Sequence, residues 1–185
     1  MRVPITIIDR HAHLSKIDAE KLFWAWYVFH VKKNLFQSQE KLCEESLILK
    51  WVNGKIESIN IVLPFKKISK VEVFGSDQEI LWNQSNRSSN YCWTLIGPRW
   101  AVYLDECVCI FQPHIHMSVA QSKDFGFRNN QVVSVETHWN KIWLFENVKI
   151  RIKDYFEFDF HIDRERADKI WLKKWDWGEI VVMKK

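Results

Sequence analysis

The residues best suited to chemistry in this sequence are two His-x-His pairs. His11-Ala12-His13-Leu14-Ser15 recurs as His114-Ile115-His116-Met117-Ser118, 103 residues further on, and each copy follows an apolar run and precedes a short helical pattern. Side chains on a strand alternate faces, so residues i and i+2 point the same way. A His-x-His strand therefore aims two imidazoles at one point, within reach of a single metal ion. One such pair is also what an ordinary core or surface histidine pair looks like. Two pairs at matching places, holding four of the seven histidines, point to metal binding, and imidazole clusters favour zinc.

The duplication nominates more ligands. Lys70-Val71-Glu72-Val73 lines up with Asp159-Phe160-His161-Ile162 at an offset of 89, and residues 59–65 share their alternation with 148–155. Glu72 and His161 thus take equivalent positions inside apolar strands, where a polar side chain needs a reason. Either one alone also suits the solvated side of an edge strand. Together the set is His11, His13, Glu72, His114, His116 and His161. Six ligands exceed one tetrahedral zinc and suit two ions with open positions. His30 and His138 fall outside the repeat and read as surface residues.

The elements that must position these groups are short β runs at 3–8, 47–52, 56–63, 70–74, 94–96, 101–104, 108–111, 132–137, 142–145, 148–153, 156–162 and 179–183. Helical patterns are few, at 15–23, 77–81, 118–125 and 164–172. The polar stretch 83–91 reads as a linker. The fold class expected is mostly β: two similar small β-barrel domains with short helical caps. The halves are 1–86, its final strand open to exchange with the other half, and 87–185. The 185 residues carry a net charge of +4, which suits an anionic small substrate and is too weak and scattered for nucleic acid. No run approaches the roughly 18 apolar residues of a membrane helix. Met1-Arg2-Val3-Pro4-Ile5 leads straight into a strand without a signal-like segment, so a cytoplasmic location is expected. Cys43, Cys92, Cys107 and Cys109 lack metal-type spacing and read as reduced thiols.

Several of these segments resemble the phosphate propanoyltransferase family of phosphotransacylases. They are Arg10-His11-Ala12-His13-Leu14-Ser15, Cys43-Glu44-Glu45-Ser46, Thr94-Leu95-Ile96-Gly97-Pro98, His114-Ile115-His116-Met117, Phe145-Glu146-Asn147-Val148 and Phe160-His161-Ile162-Asp163, in order over nearly the whole chain. The resemblance implies two β-barrel domains and an interdomain site with two Zn2+ per chain. It implies acyl-CoA and phosphate as substrates, with acetyl-CoA or propanoyl-CoA giving acyl phosphate and CoA. His11, His13 and Glu72 would hold the zinc that meets the CoA sulfur, and His114, His116 and His161 the second. The family's phosphate-binding arginine, six residues before the ligand glutamate, falls on Lys66, so Lys66 takes the catalytic and substrate-binding role, with Lys67 beside it. Lysine keeps the charge but loses the bidentate fork. Pro113 stands where a second arginine is expected, and Phe74-Gly75-Ser76-Asp77 replaces a Ser-Arg-Thr-Asp run. No microcompartment-targeting extension is evident, and a homodimer is compatible with the pattern.

Eleven Trp and five Gly invert the usual balance, since about 7% Gly would give roughly 13. Phe23-Trp24-Ala25-Trp26-Tyr27 and Gly97-Pro98-Arg99-Trp100 place indoles where the family pattern has glycine turns. Two readings follow: a UGA codon that means glycine in the cell of origin, or a tryptophan-rich divergent protein. Two other functions compete. Asp9-Arg10-His11-Ala12-His13 resembles the metal-binding strand of amidohydrolases, although their TIM barrel needs about 250 residues. A non-catalytic zinc-binding double barrel is the third reading.

Overall fold

The computed structural model describes residues 1–35, 40–51, 54–78, 93–104, 107–138, 142–174 and 176–181. Strand β1 (Arg2–Ile8) leads into β2 (His11–Ser15) and helix α1 (Lys16–Leu22). Then come β3 (Val31–Asn34), β4 (Lys41–Trp51), β5 (Gly54–Lys66), β6 (Lys70–Val73), β7 (Trp93–Ile96), β8 (Ala101–Leu104) and β9 (Val108–Ile110). The series continues with β10 (His114–Met117), α2 (Val119–Phe125), β11 (Val132–His138), β12 (Ile142–Ile152), β13 (Asp159–Asp163), α3 (Arg164–Lys169) and β14 (Trp177–Val181).

These elements make two compact units, Asp9–Phe111 and a discontinuous one of Met1–Ile8 with Gln112–Lys185. In the second, six strands close a barrel in the order β1-β13-β10-β12-β11-β14. Its core holds Val3, Ile5, Ile115, Met117, Val135, Val148, Ile150, Phe160 and Ile162. In the first, the order β8-β7-β4-β5-β2-β6-β9, with β3 on β4, makes a nearly closed barrel around Leu14, Leu22, Phe23, Leu47, Ile59, Ile61, Val71 and Leu95. The mostly β, double-barrel architecture expected from the sequence is what forms.

The duplication is visible in strand register. His11 lies beside Asn60 in the parallel β2–β5 pair and His114 beside Lys149 in the parallel β10–β12 pair, so both ladders keep the offset of 89. The strand before each His-x-His strand pairs in the unit that does not hold that motif. β1 pairs with β13 and β14, and β9 pairs with β6. The expected boundary at 86/87 and the linker at 83–91 lie outside the described residues. Residues 1–8, expected in the first half, close the barrel of the second, where Val3 and Ile5 are buried in its core. β5 and β12 also run longer than their sequence patterns suggested.

Short helices follow the His-x-His strands because the serine two residues past each motif is a cap. The Ser15 hydroxyl accepts the Asp18 N–H, and Ser118 and Gln121 form a reciprocal capping box. Asp163 caps α3 in the same way. Residues 77–81, expected to be helical, extend beyond the described residues. His30 and His138 are exposed as expected, and His30 Nδ1 lies 2.8 Å from Glu45 Oε1. Cys43 and Cys107 are free thiols, the Cys109 thiol donates to the Val71 carbonyl at 3.7 Å, and burial followed by the charge of Glu45 pushes Cys43 up to about 11. Cys92 lies outside the described residues. No helix among the described residues is long and apolar enough to cross a membrane.

Two tryptophans sit in left-handed backbone: Trp26 at φ 70° and Trp171 at φ 58°. Ser58, Asn130 and Asn147 share that region, which small polar residues, asparagine above all, tolerate better than a bulky one. Trp26 is 88% exposed and Trp171 76%, so little burial offsets the strain. Trp26→Gly and Trp171→Gly should each stabilise the protein by about 1 kcal/mol, read as a raised urea midpoint. An unchanged or lowered midpoint would show that the indoles make compensating contacts.

Candidate metal centre

In the closed barrel, β10 and β13 run antiparallel with His114 opposite His161 and His116 opposite Asp159. All four side chains are buried. The imidazole centroids stand 4.8 Å (His114–His116), 5.0 Å (His114–His161) and 4.3 Å (His116–His161) apart. Their ligand atoms lie within 4.8 Å of one another, and among the described residues no other His, Cys, Asp or Glu group meets that arrangement.

Hydrogen bonds decide which nitrogens are available. His114 Nδ1 lies 2.8 Å from the Gln112 carbonyl. A carbonyl only accepts, so Nδ1 carries the proton and Nε2 keeps its lone pair, towards which Arg151 Nη1 points at 3.4 Å. Asp159 Oδ2 lies 3.0 Å from His161 Nε2, which by the same logic leaves Nδ1 as the free base. His116 is clamped by Phe156, stacked at 3.7 Å and 8°, and its buried Nδ1 has no hydrogen-bond partner. Burial, reinforced by the neighbouring His161 and His114, holds its pKa far below the ordinary value. A buried nitrogen without a partner costs about 1–3 kcal/mol. A metal ion is an electron-pair acceptor that would relieve it, so this donor set fits zinc.

The other unit repeats the layout with a glutamate in the place of the third histidine. β2 and β6 are antiparallel, with His11 opposite Glu72 and His13 opposite Lys70. His11 Nδ1 lies 2.9 Å from the Asp9 carbonyl, matching His114, and His11 Nε2 stands 3.9 Å from Glu72 Oε2. His13 Nδ1 is buried without a partner, matching His116. Burial first, then the nearby His11, lowers the His13 pKa to about 4. The two rings meet edge to face at 5.1 Å. His11, His13 and Glu72 therefore share one face of one strand pair, but they are not drawn into as tight a group as His114, His116 and His161. Glu72 Oε1 is held at 2.6 Å by Lys70 Nζ.

Lys66 ends β5, in register with Ser15, and its Nζ lies 3.0 Å from Glu40 Oε1. Both charges act on His13, which places the expected anion-binding lysine beside this cradle. Nearby, Arg10 grips Asp77 with two 2.7 Å bonds while its guanidinium lies 4.1 Å from the centre of the Phe74 ring. Sequence reasoning did not single out Lys70, Asp159 or Phe156. The first two were findable, since each stands two residues before a nominated ligand, on the same strand face.

Two barrel-like units, each presenting a His-x-His strand beside an acidic or histidine neighbour, define a double-barrel protein with a buried histidine group that could hold a metal ion. The chain belongs to the phosphate propanoyltransferase family, whose sequence profile matches residues 4–173. The phosphate propanoyltransferase of Lachnoclostridium phytofermentans is 31% identical over 172 residues, covering 90% of this chain and 81% of that protein. The Rhodopseudomonas palustris enzyme of the same name is 30% identical over 181 residues, covering 95% and 80%. That of Thermotoga maritima is 26% identical over 184 residues, covering 96% and 88%.

The depressed His13 pKa has a consequence for the metal-free protein. The folded state keeps this imidazole neutral down to about pH 4, while the unfolded chain takes up a proton near the ordinary value of 6.5. The stability it contributes is complete above 6.5 and is lost as pH falls toward 4. Urea midpoints of chelated protein across that window should drop, and His13→Gln should flatten the drop. An equal slope in the variant would assign the pH dependence to other groups.

Proposed function

We propose that this chain is a phosphate acyltransferase converting a short-chain acyl-CoA, acetyl- or propanoyl-CoA, and phosphate to acyl phosphate and CoA, with one Zn2+ in each unit's cradle. The observation that carries the reading is the buried His114–His116–His161 group in a chain of this family, repeated in register by His11, His13 and Glu72. The relatives' names supply the reaction. The reading includes a cytoplasmic location and no nucleic-acid or membrane partner; the modest net charge of +4 supports the absence of a nucleic-acid partner. A homodimer is compatible with this reading.

Zinc in the two cradles would supply a Lewis acid for the departing thiolate and a positive site for phosphate. The chain's own groups do the rest. The imidazoles of His13 and His116, kept neutral by burial, present lone pairs rather than protons. Glu72 gives one cradle a carboxylate among its ligands, where the other has a third histidine. Lys66, exchanging Glu40 for phosphate, holds the nucleophile by charge, with Lys67 as a neighbour. A phosphate oxygen then bonds to the thioester carbonyl carbon, the C–S bond breaks, and CoA leaves as thiolate. No covalent acyl-enzyme is needed.

The amidohydrolase alternative required a TIM barrel, and the chain forms two small antiparallel-rich barrel-like sheets instead. The non-catalytic zinc protein is an outcome of the same assay. Phosphate-dependent CoA release from acetyl-CoA and propanoyl-CoA should vanish on chelation and return with zinc. Lys66→Ala should raise the KM for phosphate about tenfold, the loss of one charge-assisted contact of about 1.4 kcal/mol, and Lys66→Arg should restore it. Zinc-loaded, folded protein without CoA release would sink the enzyme reading in favour of the non-catalytic one.

A further inference from the structure

The third ligand in each unit has a dedicated neighbour, and the two neighbours carry opposite charges. Lys70 and Asp159 occupy matching places at the offset of 89: one opposite His13, the other opposite His116. Each stands two residues before the third ligand, on the same strand face. Lys70 Nζ lies 2.6 Å from Glu72 Oε1, and Asp159 Oδ2 lies 3.0 Å from His161 Nε2. Where the ligand is a carboxylate the neighbour is a cation, and where it is an imidazole the neighbour is a carboxylate. Asp159 is 0% exposed. A carboxylate is taken fully out of water only at several kcal/mol unless its partner is well placed, so its position beside His161 is a specific one.

We propose that Lys70 and Asp159 are positioning residues, each fixing which atom of the third ligand faces the metal. Asp159 engages His161 Nε2 and leaves Nδ1 as the donor, while making the imidazole a stronger base. Lys70 engages Glu72 Oε1 and leaves Oε2, 3.9 Å from His11 Nε2, as a single-oxygen ligand. Lys70 also offsets the Glu72 carboxylate's charge, while Asp159 brings a carboxylate to the all-histidine cradle. This inference rests on the metal-binding reading proposed above.

Cobalt(II) titration of the metal-free full chain, followed by the visible d–d band, tests it without reference to catalysis. Two cobalt ions should bind the wild type. Asp159→Ala should weaken one site about 10–100-fold and alter its band, leaving the other site unchanged. Asp159→Asn, whose side-chain oxygen still accepts from Nε2–H, should recover most of that affinity and the original band. Lys70→Ala should change the other site's band alone, and Lys70→Gln, which still donates to Oε1, should restore it. Folded alanine variants with wild-type affinity and spectra would overturn the positioning roles. Should Asp159→Ala fail to fold, Asp159→Asn decides: a band as altered as loss of a ligand would produce overturns the role of Asp159. A wild type that binds no cobalt would overturn the metal reading itself, a distinct failure.

An independent observation supports a second inference. Trp26 and Trp171 adopt a backbone that favours glycine, and six of the eight described tryptophans are exposed, although tryptophan is highly buried on average. Trp24 and Trp100 are exposed with ordinary φ, while Trp51 and Trp93 are buried with ring centroids 5.8 Å apart. Trp82, Trp139 and Trp175 lie outside the described residues. We infer that positions 26 and 171 are glycine in the protein made by its own cell, through a UGA codon read as glycine. Peptide mass spectrometry of the endogenous protein should find both peptides lighter by the difference between tryptophan and glycine. Intact tryptophan at both positions would overturn the inference.

Discussion

The antiparallel register between each His-x-His strand and its partner is the constraint on which both cradles depend. Residues directly opposite in such a pair stand about 4.5–5.5 Å apart. Placing His11 opposite Glu72 and His114 opposite His161 therefore brings a third donor beside the first without any loop having to fold over it. A slip of one residue would send the third ligand to the opposite face. The apolar residues between the ligands guard against that slip. Ala12, Val71, Ile115 and Phe160 are all fully buried in the two cores, so the same packing that stabilises each unit also aims the ligands.

The cradles are costly as plain protein and sensible as metal sites. His13 and His116 each keep a buried Nδ1 without a hydrogen-bond partner, while His11 and His114 each have Nδ1 tied to a main-chain carbonyl. This alternation recurs in both units, which argues against accident. Buried imidazoles held neutral are poor solvated groups and good ligands. The strain of holding them without a partner is compensated by the surrounding barrel cores.

Duplication has not left the halves identical. One proposed third ligand is a carboxylate and the other an imidazole, and the neighbours carry opposite charges. Charge complementarity over about 3 Å matters more in a low-dielectric face than at a surface, so the ligand and its neighbour form one unit of change. The exchanged strands add a topological tie, since β1 and β9 each complete the unit that lacks the motif they precede in sequence.

Much of this was legible in the sequence, because alternation along a strand is a local property. The spacing of His11 with His13 and of His114 with His116 fixed their common faces, and the offset of 89 picked out Glu72 and His161 as equivalents. The Ser15 and Ser118 caps marked where helices begin. What no local pattern carries is which strand pairs with which. That decided that residues 1–8 close the barrel holding the second motif, that His114, His116 and His161 gather more tightly than His11, His13 and Glu72, and that Phe156 stacks on His116. Lys66 shows the same limit: its charge is plain in the sequence, but its pairing with Glu40 depends on chain segments brought together only by β4 and β5. Pairing is settled by the burial of apolar faces summed over whole units, a non-local quantity, and so belongs to the tertiary structure.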